Sequence, residues 1–261
     1  MLIFTFVITG VGLEEYLQLF LLFALGIVAG IINVVAGGGS LLTVPALIFM
    51  GLEGAMANGT NRLSILIQSL SAVSSFKKEN VSDFKMSLRL SLFTLPGAVA
   101  GVIAAVKISS EAFQQTLAVI MILVLISMLI PKAKNNTGNK TVKKFPRLIY
   151  PVMFFIGFYG GFIQAGVGFL LMAALHYIMK MDLLTVNMHK AFIVLVFTIP
   201  AMLVFIISGN VYWLYGLTLS AGNGLGAWWS AKHSVRKGEK FIKIFMFAAV
   251  IIMAVKLLNI F

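Results

Sequence analysis

Two polar clusters interrupt an otherwise apolar chain, and each sets side-chain amides beside a single cation. The first is Ala57-Asn58-Gly59-Thr60-Asn61-Arg62, which leads into Leu63, Ile65, Leu66 and Ile67. The second is Val186-Asn187-Met188-His189-Lys190-Ala191, which aligns on the first without a gap. A cation near membrane depth is costly unless it faces a cavity or a partner. The plainer alternative is an end-of-helix residue whose stem lies in the apolar layer while its head reaches the lipid headgroups.

Further amides stand at two glycine-rich breaks. Asn33 precedes Ala36-Gly37-Gly38-Gly39-Ser40, and Gln164 precedes Gly166-Val167-Gly168. A backbone that stops being helical inside a bilayer is tolerated only where it is buried in protein or lines a wet cavity. If the two breaks meet, Asn33, Ser40, Gln164 and the amides of Gly37, Gly38, Gly39 and Gly168 make a donor-rich pocket. Helix N-termini starting after the breaks add positive potential to it. The structural alternative is that the amides merely cap the turns.

The carboxylates, Glu14, Glu15, Glu53, Glu79, Asp83, Glu111, Asp182 and Glu239, all fall at expected span ends or in loops. Donors and cations with no acid mid-span suit an anion. His189 is a candidate through its neighbours, whereas His176 and Asn223 read more simply as packing residues. The expected anion site therefore comprises Asn33, Gly37, Gly38, Gly39, Ser40, Asn58, Thr60, Asn61 and Arg62 from one side. Gln164, Gly168, Asn187, His189 and Lys190 complete it from the other.

The elements that must hold these residues are membrane spans. Of 261 residues, 60% are apolar and 11% charged, and the mean hydropathy is +1.03, values that describe an integral membrane protein. The formal charge of +12 sits in short loops between apolar runs, which points to membrane topology and away from nucleic acid. With no cysteine and three scattered histidines, no metal centre is expected. No paired acids or activated nucleophile converge in the apolar spans, so an enzyme is not expected either. The first fifteen residues lack a basic n-region, which argues against a removable signal peptide.

Apolar stretches fall at about 16–35, 41–51, 60–76, 86–106 and 113–130, then at about 148–166, 169–180, 188–208, 211–231 and 241–260. The runs 41–51 and 169–180 are too short to cross a core of about 30 Å as straight helices, and each follows a break. The expected fold is an all-α polytopic membrane protein of two inverted-topology repeats, each with about five helical segments and a short broken or re-entrant helix. The first repeat is 1–131, a basic linker is 132–147 and the second repeat is 148–261. Gly26-x-x-x-Gly30 recurs as Gly157-x-x-x-Gly161, and Gly97-x-x-x-Gly101 as Gly222-x-x-x-Gly226. The basic loops at 77–89, 131–147 and 232–243 should be cytoplasmic, and the uncharged Ser208-Gly209-Asn210 turn should face outward. Equivalent loops of the two halves thus swap sides, as inverted repeats require.

These motifs resemble the TauE/SafE permease family, also called the sulfite exporter or toluene-sulfonate uptake permease family. The matching pattern is Gly26-x-x-x-Gly30-x-x-Asn33-x-x-Ala36-Gly37-Gly38-Gly39-Ser40-Leu41-Leu42-x-x-Pro45, then Ala57 to Arg62. The second half departs from the usual pattern at Met188-His189, where a Gly-Thr pair is common. The resemblance implies a permease of the prokaryotic inner (cytoplasmic) membrane for sulfite, sulfonates or organosulfur acids, without a cofactor. A secondary transporter working by alternating access is the leading reading, with proton or sodium as candidate coupling ions. An anion channel or facilitator on the same repeats is the alternative. Transport direction and oligomeric state stay open.

Overall fold

The computed structural model describes residues 13–81, 83–129, 146–233 and Ile251. These residues form helices and no strand. In the first half they are α1 (Leu13–Val35), α2 (Ser40–Phe49), α3 (Gly54–Lys78), α4 (Phe84–Ala105) and α5 (Ser110–Leu129). In the second half they are α6 (Ile149–Phe162), α7 (Val167–Ala173) continued by a π-helical turn (Ala174–Ile178), α8 (Leu183–Ile207) and α9 (Trp213–His233). Most of the expected linker, most of the basic loop 232–243 and nearly all of the segment 241–260 lie outside the described residues.

Large apolar side chains lie on the outside of the described structure, and a polar seam runs through its otherwise apolar core. Arg62, Asn58, Asn61 and Thr60 are fully buried, while Phe20, Phe155 and Ile207 are 65, 67 and 85% exposed. That inversion suits a hydrocarbon surround. Among the described residues three helices, over Glu14–Val35, Phe84–Ala105 and Leu183–Ile207, are long and apolar enough to cross a membrane. The helix α3 is different: its buried set includes Asn58, Thr60, Asn61, Arg62, Ser64, Gln68, Ser69 and Ser75. A helix this polar is stable at the centre of the bundle because its neighbours supply the partners.

Glycines let helix backbones touch where lipid gives no hydrophobic drive to association. A side-chain carbon at Gly26 or Gly30 of α1 would collide with the backbone of α9 at Leu219 and Asn223. One at Gly222 or Gly226 would collide with α1 at Phe23 and Ile27. The same arrangement joins α6 to α4: Gly157 and Gly161 rest on Thr94 and Ala98, and Gly97 and Gly101 rest on Phe154 and Phe158.

Both expected breaks are present and they touch. Gly37 and Gly166 adopt left-handed φ of +84° and +74°, a region open to glycine. A Cβ on Gly37 would lie 2.5 Å from the carbonyl carbon of Gly168. The Ser40 hydroxyl bridges the breaks, accepting from the Gly166 amide at 3.2 Å and donating to the Gln164 carbonyl at 3.4 Å.

One expectation is corrected. The stretches expected to start at about 60 and 188 belong to helices that begin earlier, α3 at Gly54 and α8 at Leu183, so Arg62 and Lys190 do not open their helices. The Asp182 side chain caps α8, accepting from the amides of Leu184 and Thr185 at 3.0 Å each. Burial pushes the Asp182 carboxyl up, but the Thr185 hydroxyl and these amides outweigh it and hold the pKa below the usual carboxylate value. Both cations therefore stand about two turns inside a helix, beyond the position of a terminal residue.

Candidate functional site

The sequence places one polar stripe along α3 and another along α8, and the two helices pack on each other. Between them and the two breaks lies a cavity with about 400 Å³ of empty space, including the part open to solvent. Asn33, Ser40, Gln164 and Gly168 line it from the breaks, and Asn187 and Lys190 line it from α8. α3 contributes Ile65, Gln68, Ser69 and Ala72, which follow helical spacing down one face.

Lys190 is the one charged residue among the described residues of that lining. Its ammonium uses three donors on three oxygens: the Asn33 and Val34 carbonyls at 2.9 Å each and Asn187 Oδ1 at 2.8 Å. Those carbonyls end α1, where a helix carries negative partial charge and unpaired acceptors. Neutral dipoles, with no carboxylate among the described lining residues, thus hold the cation in place. The surrounding amides are also committed. Asn33 Nδ2 donates to Gln68 Oε1 at 2.9 Å, so the Gln68 amide keeps its NH2 as donor. Asn187, with Oδ1 on Lys190, likewise keeps its NH2. Gln164 Nε2 donates to Thr198 Oγ1 at 3.1 Å, and its Oε1 is buried without a partner.

The other expected site residues sit elsewhere. The Gly37 amide closes the turn onto Asn33 and Ile32, and Gly39 is pressed on α1 at Ala29. Gly38 lies in the same break and accepts from the Leu41 amide at 3.0 Å. Asn58 and Arg62 reach the other half, donating to the carbonyls of Phe162 and Gly161 at the end of α6. Arg62 also stacks over Phe205, 5.0 Å from the ring centroid. Asn61 Oδ1 accepts from Thr43 at 2.6 Å, and Thr60 Oγ1 accepts from the Tyr212 amide at 2.9 Å. His189 faces α4, with Nδ1 2.7 Å from the Ser87 hydroxyl. Each cation therefore braces the C-terminal carbonyls of the first helix in the opposite half.

Gln68 and Ser69 were absent from the expected set. The available signal was their spacing from Arg62 and Ile65 on one face of α3.

The chain's relationships identify its family. Residues 22–257 match the family profile described as Sulfite exporter TauE/SafE. The chain belongs to the TauE/SafE family. A probable membrane transporter protein, ORF9, of Sinorhizobium sp is 29% identical over 243 residues, covering 91% of each chain. A probable membrane transporter protein of Haemophilus influenzae is 28% identical, covering 85% of this chain and 88% of its own. The probable membrane transporter protein YfcA of Escherichia coli is 29% identical over 246 residues, covering 93% and 90%. No solved structure matches the chain significantly. This TauE/SafE protein is accordingly a membrane transporter, and its cavity is the place to look for the transported species.

Proposed function

We propose that the chain is a secondary transporter of the inner membrane for a small anion, with sulfite, a sulfonate or another organosulfur acid as the substrate class. The observation that carries this reading is the charge of the cavity: one ammonium, several amide and hydroxyl donors, and no acid among the described lining residues. Lys190, Asn187, Gln68 and Ser69 would bind the anion from α8 and α3. Asn33, Gln164 and Gly168 would bind it from the breaks, which the Ser40 hydroxyl holds together.

The two halves are read as inverted repeats. Exchanging them turns the α1–α9 glycine contacts into the α6–α4 contacts and turns the Gly37–Gly168 contact into itself. Opposite orientation follows from the positive-inside rule, which puts the Lys77–Arg89 loop in the cytoplasm and the Ser208–Asn210 turn outside. On that frame α3 runs inward and α8 outward, and the cavity lies on the cytoplasmic side of the breaks. Rocking of the repeats about the touching breaks would expose the site to each side in turn.

Anion binding by the purified protein tests this. Sulfite or a sulfonate should raise the apparent melting temperature, since a ligand at about 100 times its Kd stabilises by about 2.7 kcal/mol. Lys190→Gln should move the response to at least about tenfold higher anion concentration. A response to cations or neutral metabolites alone would refute the anion reading.

A further inference from the structure

Arg62 presents a problem that the Lys190 cavity does not solve. It is fully buried and does not line that cavity. Its Nη2 donates to the Gly161 carbonyl, yet Nε and Nη1 have no partner. The neighbouring Asn61 Nδ2 is also buried without a partner, its Oδ1 being held by Thr43. Three N–H-bearing atoms on two successive residues are thus unused. The carboxylates among the described residues stand at helix ends or in loops, and none pairs with Arg62. An unpaired buried charge is strongly destabilising, and each unmet polar group adds to that cost. The Phe205 face and one carbonyl offset only part of that.

Position adds the second observation. Arg62 lies on the α3 face that carries Ile65, Ser69 and Ala72 into the cavity, one turn beyond Ile65. On α8 the stripe that begins with Asn187 and Lys190 continues through Val194 to Phe205, which lies under the guanidinium. The same seam therefore has Lys190 near one end and Arg62 near the other, with Ile65 between them. Over the Arg62 end, the turn joining α8 to α9 is seated on α3. A Cβ at Gly59 would collide with the Asn210 carbonyl, and the Tyr212 amide donates to Thr60.

We propose that Arg62, with the amide of Asn61, forms a second anion-binding site on this seam, shut off from the Lys190 cavity by Ile65 and covered by the Ser208–Tyr212 turn. It takes the same class of ligand, a small oxyanion, and holds it on the outward side. This rests on the anion reading of the cavity. Arg suits it because the guanidinium fork matches two oxygens of one oxyanion.

The test follows stabilisation of the purified protein by sulfite at constant ionic strength. The variants are Lys190→Gln, Arg62→Gln and the two combined. Lys190→Gln should keep a saturable response with its midpoint moved at least about tenfold, and the double variant should be flat. If Arg62→Gln does not fold, Arg62→Lys on the Lys190→Gln background replaces it, and loss of the fork should weaken the residual response several-fold. A flat Lys190→Gln response beside a responding wild type overturns the second site and leaves the cavity reading intact. A flat wild type overturns both.

Discussion

Lys190 shows how a single residue is read differently with and without its neighbours. In sequence it is a cation beside an amide in an apolar run. In the structure its three donors are satisfied by oxygens, so it supplies potential to the cavity without being a free hydrogen-bond donor. Opposite charges about 4 Å apart at an effective dielectric near 20 interact by about 4 kcal/mol, so that potential should dominate anion affinity. Gln68 offers a clean check, because its Oε1 already accepts from Asn33 and a carboxylate would keep that bond. Gln68→Glu should fold, yet weaken sulfite-induced stabilisation at least about tenfold by cancelling the Lys190 charge. An unchanged midpoint would show that the cavity field does not set binding. Arg62 and Lys190 were legible as exceptional from their setting alone. Gln68 and Ser69 were not, since Gln and Ser on a buried helix are ordinary packing residues until the facing helix is known.

At the level of elements, the breaks explain why short helices can stand inside the bundle. α2 and α7 each begin at a glycine-rich turn, and the two turns press backbone on backbone at Gly37 and Gly168. Nothing larger than hydrogen fits there. Gly168→Ala should therefore lower stability by about 1–3 kcal/mol through overpacking, seen as a fall in apparent melting temperature, and should impair transport beyond that loss. Wild-type stability in the variant would mean the breaks are not closely packed. The glycine runs announced both interruptions because each stands ahead of an apolar run, 41–51 or 169–180, too short to span as a straight helix. The starts of α3 and α8 were placed too late. Polar residues such as Asn58 and Asn187 look like loop until their partners are known: the Phe162 carbonyl across the bundle for Asn58, and Lys190 one turn along the same helix for Asn187.

Over the described residues, large apolar side chains face outward, a polar seam runs through an otherwise apolar core, and Arg62 and Lys190 reach across to the opposite half. Each cation holds the carbonyl end of the other half's first helix, so moving one half relative to the other must remake both contacts. Such paired contacts suit a molecule with two discrete arrangements more than one that deforms continuously. The proposed repeat rests on glycine and amide motifs that recur in order along the sequence. The side-by-side placement of Lys190 with Gln68, and the exclusion of Arg62 from that cavity, depended on helix depth that no motif encodes. The measurement that bears most directly on the transport claim is counterflow in proteoliposomes loaded with unlabelled sulfite or sulfonate. Labelled anion outside should accumulate transiently and saturably with the wild-type protein and not with Lys190→Gln. Flux that neither saturates nor shows counterflow would contradict a carrier.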